Sequence, residues 1–186
     1  AAILEVLAEQ LPRQARLIEI GSGAGQHAIH MAAALNHVLW QPTDVSTVLP
    51  MLTSNISKYG AANILSPTAL DLATQEWPAQ TYDCVYSANV MHIVSTELGE
   101  NLIRGAAKML RADGTLALYG PFKYEGNFTS SSNADFDLWL KARDAQSGIR
   151  DFEWVHGLAA RSGLQLLVDQ RMPANNQTLI FKVSAK

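Results

Sequence analysis

The residues best equipped for chemistry cluster early, in Glu19-Ile20-Gly21-Ser22-Gly23-Ala24-Gly25. Glycine has no Cβ, so such a run lets the backbone turn sharply and come close to a ligand. It follows Leu17–Ile20, a short apolar run of buried-strand character, and it opens the alanine-rich helical stretch Gln26–Leu35. Asp44 ends the next strand candidate, 21 positions after Gly23. A carboxylate there can accept both hydroxyls of a ribose. Asp71-Leu72 closes a third strand candidate. A carboxylate at such an exit can accept hydrogen bonds, and the leucine beside it can pack an apolar face. Each aspartate also has a plainer reading, a helix cap for Asp44 and a turn for Asp71.

A second group follows the fourth strand candidate, in Ser87-Ala88-Asn89-Val90-Met91-His92-Ile93. Asn89 can hydrogen-bond an amine or hydroxyl. His92 titrates near neutrality and suits a base, or else it packs beside the following helix. His27 and His30 lie three apart on one helix but lack a carboxylate or cysteine at ligand spacing, so no metal site is expected; His27 is close enough to the glycine run to shape it. His37 and His156 read as surface residues, and Cys84, inside a strand, as a small buried hydrophobe. After the fifth strand comes a long loop with Tyr119, Phe122, Tyr124 and Phe128, and Trp139 lies beyond it. Aromatic faces there suit a cation or a flat organic molecule, or else form a satellite core. Ser132-Asn133-Ala134-Asp135 matches a helix cap. Asn175-Asn176 is either a turn or a pair of ligand contacts.

The elements that must position these groups alternate along the chain. Helices are expected over 2–11, 26–35, 50–59, 96–110, 135–146 and 152–162, and strands over 17–20, 38–41, 64–70, 82–86, 115–119, 164–170 and 178–183. Pro67 marks the third strand as an edge. Arg111–Gly114 reads as a turn, and Gly148 and Gly163 as helix C-caps. Repeated β-α units followed by a hairpin predict an α/β fold, a doubly wound, mostly parallel seven-stranded sheet with an antiparallel closing strand and helices on both faces. Such sheets bind ligands beyond the carboxyl ends of their strands. The hairpin turn then falls on that same edge.

Composition bounds the function. The 186 residues suffice for one domain, 1–186, with 48% hydrophobic and 17% charged residues, enough for a core. A net charge of −3 gives no basic face for nucleic acid. No eighteen-residue apolar run predicts a membrane span, and Glu5 and Glu9 break any signal-peptide layout. A single cysteine excludes an internal disulfide framework, which places the protein in a reducing compartment, the cytoplasm. The chain opens abruptly at Ala1, without methionine.

The glycine spacing departs from the dinucleotide fingerprint, whose third glycine would stand at Gln26; here it stands at Gly25. This E-x-G-x-G-x-G pattern resembles the first motif of the class I S-adenosylmethionine-dependent methyltransferases. The chain is further similar, end to end, to the group called methyltransferase-like protein 26 and its bacterial relatives. The resemblance rests on Gly25-Gln26-His27, Trp40-Gln41-Pro42-Thr43-Asp44, Ser87-Ala88-Asn89, Tyr119-Gly120-Pro121-Phe122-Lys123, Ser132–Asp137, Gly148-Ile149-Arg150-Asp151 and Met172–Asn176. It implies S-adenosylmethionine as cofactor, held by Glu19, Gly21, Ser22, Gly23, Gly25, His27, Asp44, Asp71, Leu72, Ser87 and Asn89. It implies substrate contacts at Tyr119, Phe122, Asn133, Asp137, Asn175 and Asn176, with His92, Asp137 and Asn89 as catalytic candidates and a small molecule as acceptor. The exit of the fourth strand lacks the N/D-P-P-Y/F tetrapeptide of DNA-adenine and glutamine-amide methylases, which argues against those substrates. Members of the group begin with a polar segment holding an Arg-Asn pair ahead of Ile3-Leu4-Glu5; it is not in this sequence, and part of a cofactor lid is expected to belong to it. Two rival functions stand beside methyl transfer. One is a non-catalytic S-adenosylmethionine-binding partner or sensor. The other is a nicotinamide dehydrogenase, disfavoured by the glycine spacing and the closing hairpin.

Overall fold

The computed structural model describes residues 2–74 and 76–184; Ala1 and the last two positions of the expected 1–186 domain lie outside the described residues. The chain runs α1 (Ala2–Gln10), β1 (Ala15–Ile20), α2 (Gln26–Ala34), β2 (Val38–Asp44), α3 (Leu49–Tyr59), β3 (Thr68–Ala69), β4 (Tyr82–Ala88), α4 (Thr96–Met109) and β5 (Leu110–Gly120). It continues with β6 (Phe122–Tyr124), β7 (Asn127–Phe128), α5 (Ser131–Arg143), β8 (Arg150–Asp151), α6 (Phe152–Arg161), β9 (Leu164–Met172) and β10 (Asn176–Val183). Seven strands form one sheet in the order β3-β2-β1-β4-β5-β10-β9. Strands β3 to β5 are parallel, and β10 is antiparallel to both neighbours. The α/β sheet with its antiparallel closing strand is the one the sequence predicts.

Apolar periodicity explains the two layers. On one face Leu102, Ile103 and Ala106 of α4 and Val155, Leu158 and Ala159 of α6 pack on Ile18, Val85, Leu116, Leu118 and Phe181. On the other, Val6 and Leu7 of α1 and Ala28, Met31 and Ala32 of α2 cover Leu17, Trp40, Tyr86 and Ile180. Trp40 is fully buried, and a ring of that size contributes roughly 4–6 kcal/mol of transfer free energy.

Several elements differ from expectation. The 64–70 strand shrinks to Thr68–Ala69 plus a lone bridge from Ile64 to Trp40, because Pro67 cannot donate to the ladder. Arg111–Gly114 belongs to β5 rather than to a free turn. Its first residues project as an exposed arm held by Arg111–Asp83 and Lys182–Asp113 ion pairs, each at 3.0 Å, and the register against β4 shifts between Tyr82 and Cys84. The aromatic loop after β5 is not irregular: β6 and β7 form a hairpin that adds β8 to make a second, three-stranded sheet. Helix α5 begins earlier than Asp135, because Ser130 is the residue that caps it, accepting from Asn133 N–H at 3.2 Å. It ends at Arg143, so Gly148 is not its cap; Gly148 donates its N–H to the His92 carbonyl at 2.9 Å. Gly163, at φ +79°, does follow α6. Among the described residues no helix is long and apolar enough to cross a membrane.

Candidate functional site

The strand order reverses between β1 and β4, and a cavity of about 340 Å³ opens at their carboxyl ends. Four strand exits converge there. The β1 exit contributes Ile20, Gly21 and Gly23, the β2 exit Asp44 and Val45, and the β3 exit Leu70, Asp71 and Leu72. The fourth wall, Asn89, Val90, Ile93, Val94 and Leu98, comes from the β4 exit and the start of α4.

The glycine run works by backbone shape. Gly21 sits at φ +77°, and a Cβ there would stand 2.4 Å from Val90 Cγ2. Gly23, at φ +55°, faces open space. Both residues donate nothing through side chains, so the turn brings bare backbone to the cavity wall. Asp44 fastens the turn: its Oδ2 accepts Gly23 N–H at 2.7 Å and its Oδ1 accepts Val45 N–H at 2.8 Å. A carboxylate has about four acceptor positions, so each oxygen keeps capacity for a ligand hydroxyl. Asp71 combines its two readings, since Oδ1 closes a turn by accepting Ala73 N–H at 2.9 Å while the residue lines the cavity. Asn101 of α4 donates to the Leu72 carbonyl at 3.0 Å and pins that exit in place.

Behind the cavity lies a buried polar layer. Glu19 accepts from Trp40 Nε1 at 3.0 Å and Ser22 Oγ at 2.9 Å, and Thr43 Oγ1 donates to the Glu19 carbonyl at 2.6 Å. Burial pushes the Glu19 carboxyl up to about 7, against the pull of its two donors. Ser87 Oγ donates to the Ile20 carbonyl at 2.9 Å. Gly25, at φ +84°, packs on Leu52 and Ile56 of α3. His27 Nδ1 lies 3.0 Å from Tyr86 Oη, and burial lowers its pKa. Of the residues expected at the cofactor, then, Gly21, Gly23, Asp44, Asp71, Leu72 and Asn89 line the cavity. Glu19, Ser22, Gly25, His27 and Ser87 do not; they support it from the layer behind.

The residues expected at a substrate separate further. Phe122 is 1% exposed, in the α4–α6 core, because β6 turns it inward, so it faces no cavity. Tyr119 Oη accepts from Asn176 Nδ2 at 3.0 Å. Asn133 is buried and donates to Thr129 Oγ1 at 2.9 Å and to the Asn175 carbonyl at 3.0 Å, which ties α5 to the hairpin tip. That tip is on the carboxyl edge as predicted, since Gln177 pairs with Gly120, and its residues Ala174 and Asn175 take positive φ. Asp137, 3% exposed, accepts Ile149 N–H at 2.7 Å and Lys141 Nζ at 2.6 Å. His92 is 4% exposed, edge-on to Phe136 with ring centroids 5.4 Å apart. Burial, with Arg150 nearby, lowers its pKa to about 4, which leaves a neutral imidazole that is a weak base. Only Asn89 among the three catalytic candidates reaches the cavity; its φ is +58°.

Sequence reasoning gives no role to the apolar wall of Val45, Val90, Ile93 and Val94, and places Leu98 only within the helix expected over 96–110. The i, i+3, i+4 spacing of Val90, Ile93 and Val94 was the available signal. It quotes Arg150 only within a resemblance block and gives it no role, whereas Arg150 donates to the Met91, Val94 and Gln146 carbonyls and so fixes the segment that carries this wall.

A family model described as "Protein of unknown function (DUF938)" matches residues 1–183. A highly reducing polyketide synthase, sorA, of Penicillium rubens is 33% identical over 137 residues, which are 67% of this chain and 5% of that protein. Among solved structures, an O-methyltransferase family protein from Burkholderia thailandensis superposes with a TM-score of 0.84 at 17% identity, covering 99% of this chain and 56% of that one. A structure described as "PigF with SAH" gives 0.77 at 14% identity, covering 90% and 50%. The chain spans about half the length of these solved relatives. At such identities the likeness concerns the fold, and the fold is the methyltransferase one.

Proposed function

The chain belongs to the DUF938 family, and we propose that it is an S-adenosylmethionine-dependent methyltransferase acting on a small molecule. The observation that carries this reading is Asp44, fastened to the Gly23 backbone at 2.7 Å on the rim of a cavity whose remaining lining is mostly apolar, with Asp71 and Asn89 as its other polar side chains. The lining, two carboxylates among apolar side chains and bare backbone, fits a nucleoside bearing a sulfonium-centred extension. Asp44 would hold the ribose hydroxyls; Asp71 and Leu72 would hold the base; the bare backbone at Gly21 and Gly23 would lie along the chain beyond the ribose. When bound, S-adenosylmethionine supplies a methyl group on a sulfonium centre. The protein's part is then to position and to exclude water. Val90, Ile93, Val94 and Leu98 shield the cavity, and Asn89 can orient an acceptor hydroxyl or amine. Orientation of this kind supplies up to about 7–11 kcal/mol, so no strong base is needed for an acceptor that is already nucleophilic. The solved protein described as an O-methyltransferase makes a hydroxyl oxygen the first acceptor atom to test. On the seven sequence blocks we place the chain beside the methyltransferase-like protein 26 group.

Calorimetric titration with S-adenosylmethionine and S-adenosylhomocysteine tests the reading. The wild type binds both in the micromolar range, and Asp44→Ala loses about 1–3 kcal/mol, roughly 5- to 150-fold, for unpaired ribose hydroxyls. Binding of neither compound by the wild type overturns it.

One observation favours a second reading, a cofactor-binding partner without catalysis. The polar residues expected at an acceptor are already satisfied within the fold, as Tyr119 with Asn176 and Asn133 with Asn175. A protein that binds S-adenosylmethionine but releases no S-adenosylhomocysteine across a panel of phenols, amines and carboxylates supports this second reading.

A further inference from the structure

We propose that a second small-molecule site lies at the far carboxyl edge, between the β6–β7 turn and the β9–β10 hairpin, and takes a free amino acid or a similar compact amine–carboxylate zwitterion. It stands independently of the methyl-transfer reading, and it shares no lining residue with the cavity at Asp44.

Two adjoining hollows of about 330 and about 230 Å³ meet there, with Thr129, Arg171 and Gln177 common to both. Gln177 is the decisive residue. It is 4% exposed, and its backbone is paired on both sides, with Gly120 and Arg171. Its side-chain Oε1 nevertheless has no hydrogen-bond partner among the described residues. Buried amide oxygens are almost always paired; this one lacks a donor on a residue that lines both hollows, and a small turn of the side chain would bring it to a donor entering them.

The flanking charges say what kind of donor. Strand alternation puts Asp169, Arg171 and Gln177 on one sheet face, since Arg171 stands opposite Gln177 and Asp169 lies two residues before Arg171. Among the described residues neither Asp169 nor Arg171 forms an ion pair. Asp169 is oriented by Tyr124, whose hydroxyl lies 2.9 Å from both carboxylate oxygens. Burial and this carboxylate raise the phenol's pKa, which keeps it a donor. The hollow therefore offers one carboxylate and one unpaired carbonyl for an ammonium, and one planar guanidinium for a carboxylate. A simple anion would face Asp169 and bring nothing to Gln177. A simple cation would face Arg171. A zwitterion satisfies all three groups, and the rings of Tyr124 and Phe128 line the hollow for its side chain.

Calorimetry with L-phenylalanine as probe, without nucleoside present, tests the proposal. L-phenylalanine binds the wild type, N-acetyl-L-phenylalanine (no ammonium) and L-phenylalaninamide (no carboxylate) bind at least tenfold more weakly, and Arg171→Gln weakens L-phenylalanine at least tenfold. Arg171 is exposed, so that variant folds, which intact binding of S-adenosylhomocysteine or an unchanged melting curve verifies. Asp44→Ala leaves L-phenylalanine affinity unchanged. The proposal falls if L-phenylalanine, L-alanine and L-serine all fail to bind at millimolar concentration, if the blocked compounds bind as well as the free one, or if Asp44→Ala rather than Arg171→Gln removes binding.

Discussion

The two ends of the carboxyl edge are built from different materials. At β1, β2 and β4 the cavity is shaped by backbone: two glycines at positive φ, a carboxylate bound to the turn it faces, and a buried layer of Glu19, Ser22, Thr43 and Trp40 beneath. At β5, β10 and β9 the edge is shaped by side chains, with Asn133 bonded to the Asn175 carbonyl at the hairpin tip and Asn176 to Tyr119. A backbone site depends on a few φ values that one Cβ can destroy. A side-chain site depends on several bonds of similar weight, and loses them one at a time.

The sharpest way to break that contrast is Gly21→Ala. The new Cβ meets Val90 at 2.4 Å in a conformation L-residues rarely adopt, and Val90 is stiff at χ1. Backbone strain of about 1–3 kcal/mol is expected, with nucleoside affinity falling by more than tenfold; Val90→Ala in the same chain recovers part of it. Equal affinity in Gly21→Ala and wild type would show that the wall is not made by backbone shape. At the other end, Asn133→Ala removes two hydrogen bonds, to the Thr129 hydroxyl and the Asn175 carbonyl, both on exposed residues. It is expected to lower unfolding free energy by about 1–3 kcal/mol in urea titration while nucleoside affinity stays put. Tyr119→Phe removes a single half-buried bond to Asn176, so a smaller loss, about 0.5–1.5 kcal/mol, follows in the same measurement.

The subtlest difference is one of slope. Glu19 has a folded pKa of about 7 against an ordinary 4.5. The folded state therefore binds the extra proton between these values, and stability is full below 4.5 and declines as pH rises through 7. Glu19→Gln, which keeps an acceptor for Trp40, flattens that decline. A melting temperature whose pH dependence from 5 to 8 is the same in both proteins contradicts a buried, protonated Glu19.

The same division governs what could be read from residues alone. Glycine positions, Asp44 and the strand–helix alternation are local patterns, and they located the cavity and five of its lining positions besides Asn89. What escaped depends on pairing between distant segments. Nothing near Phe122 tells that β6 will join β8, which turns that ring into the core. Ser130 rather than Ser132 caps α5 because the β6–β7 hairpin ends just before it. His92 looks like a base until Phe136 and the 148–150 segment close over it. The 111–114 stretch has turn composition, yet its ion pairs to Asp83 and Lys182 hold it in β5.

The strand order has a consequence for synthesis on the ribosome. Strand β10 is slotted between β5 and β9, although both precede it in the chain. Until residues 176–183 have emerged, β5 has no partner on one side and β9 has none at all in the main sheet. A nascent chain at that stage carries the Leu116–Leu118 segment of β5 as an open edge, the kind of template that invites pairing with a neighbouring chain. Translation pauses just before this strand would prolong that exposure, while a chaperone able to cover the β5 edge would act on a single, well-defined interval of synthesis.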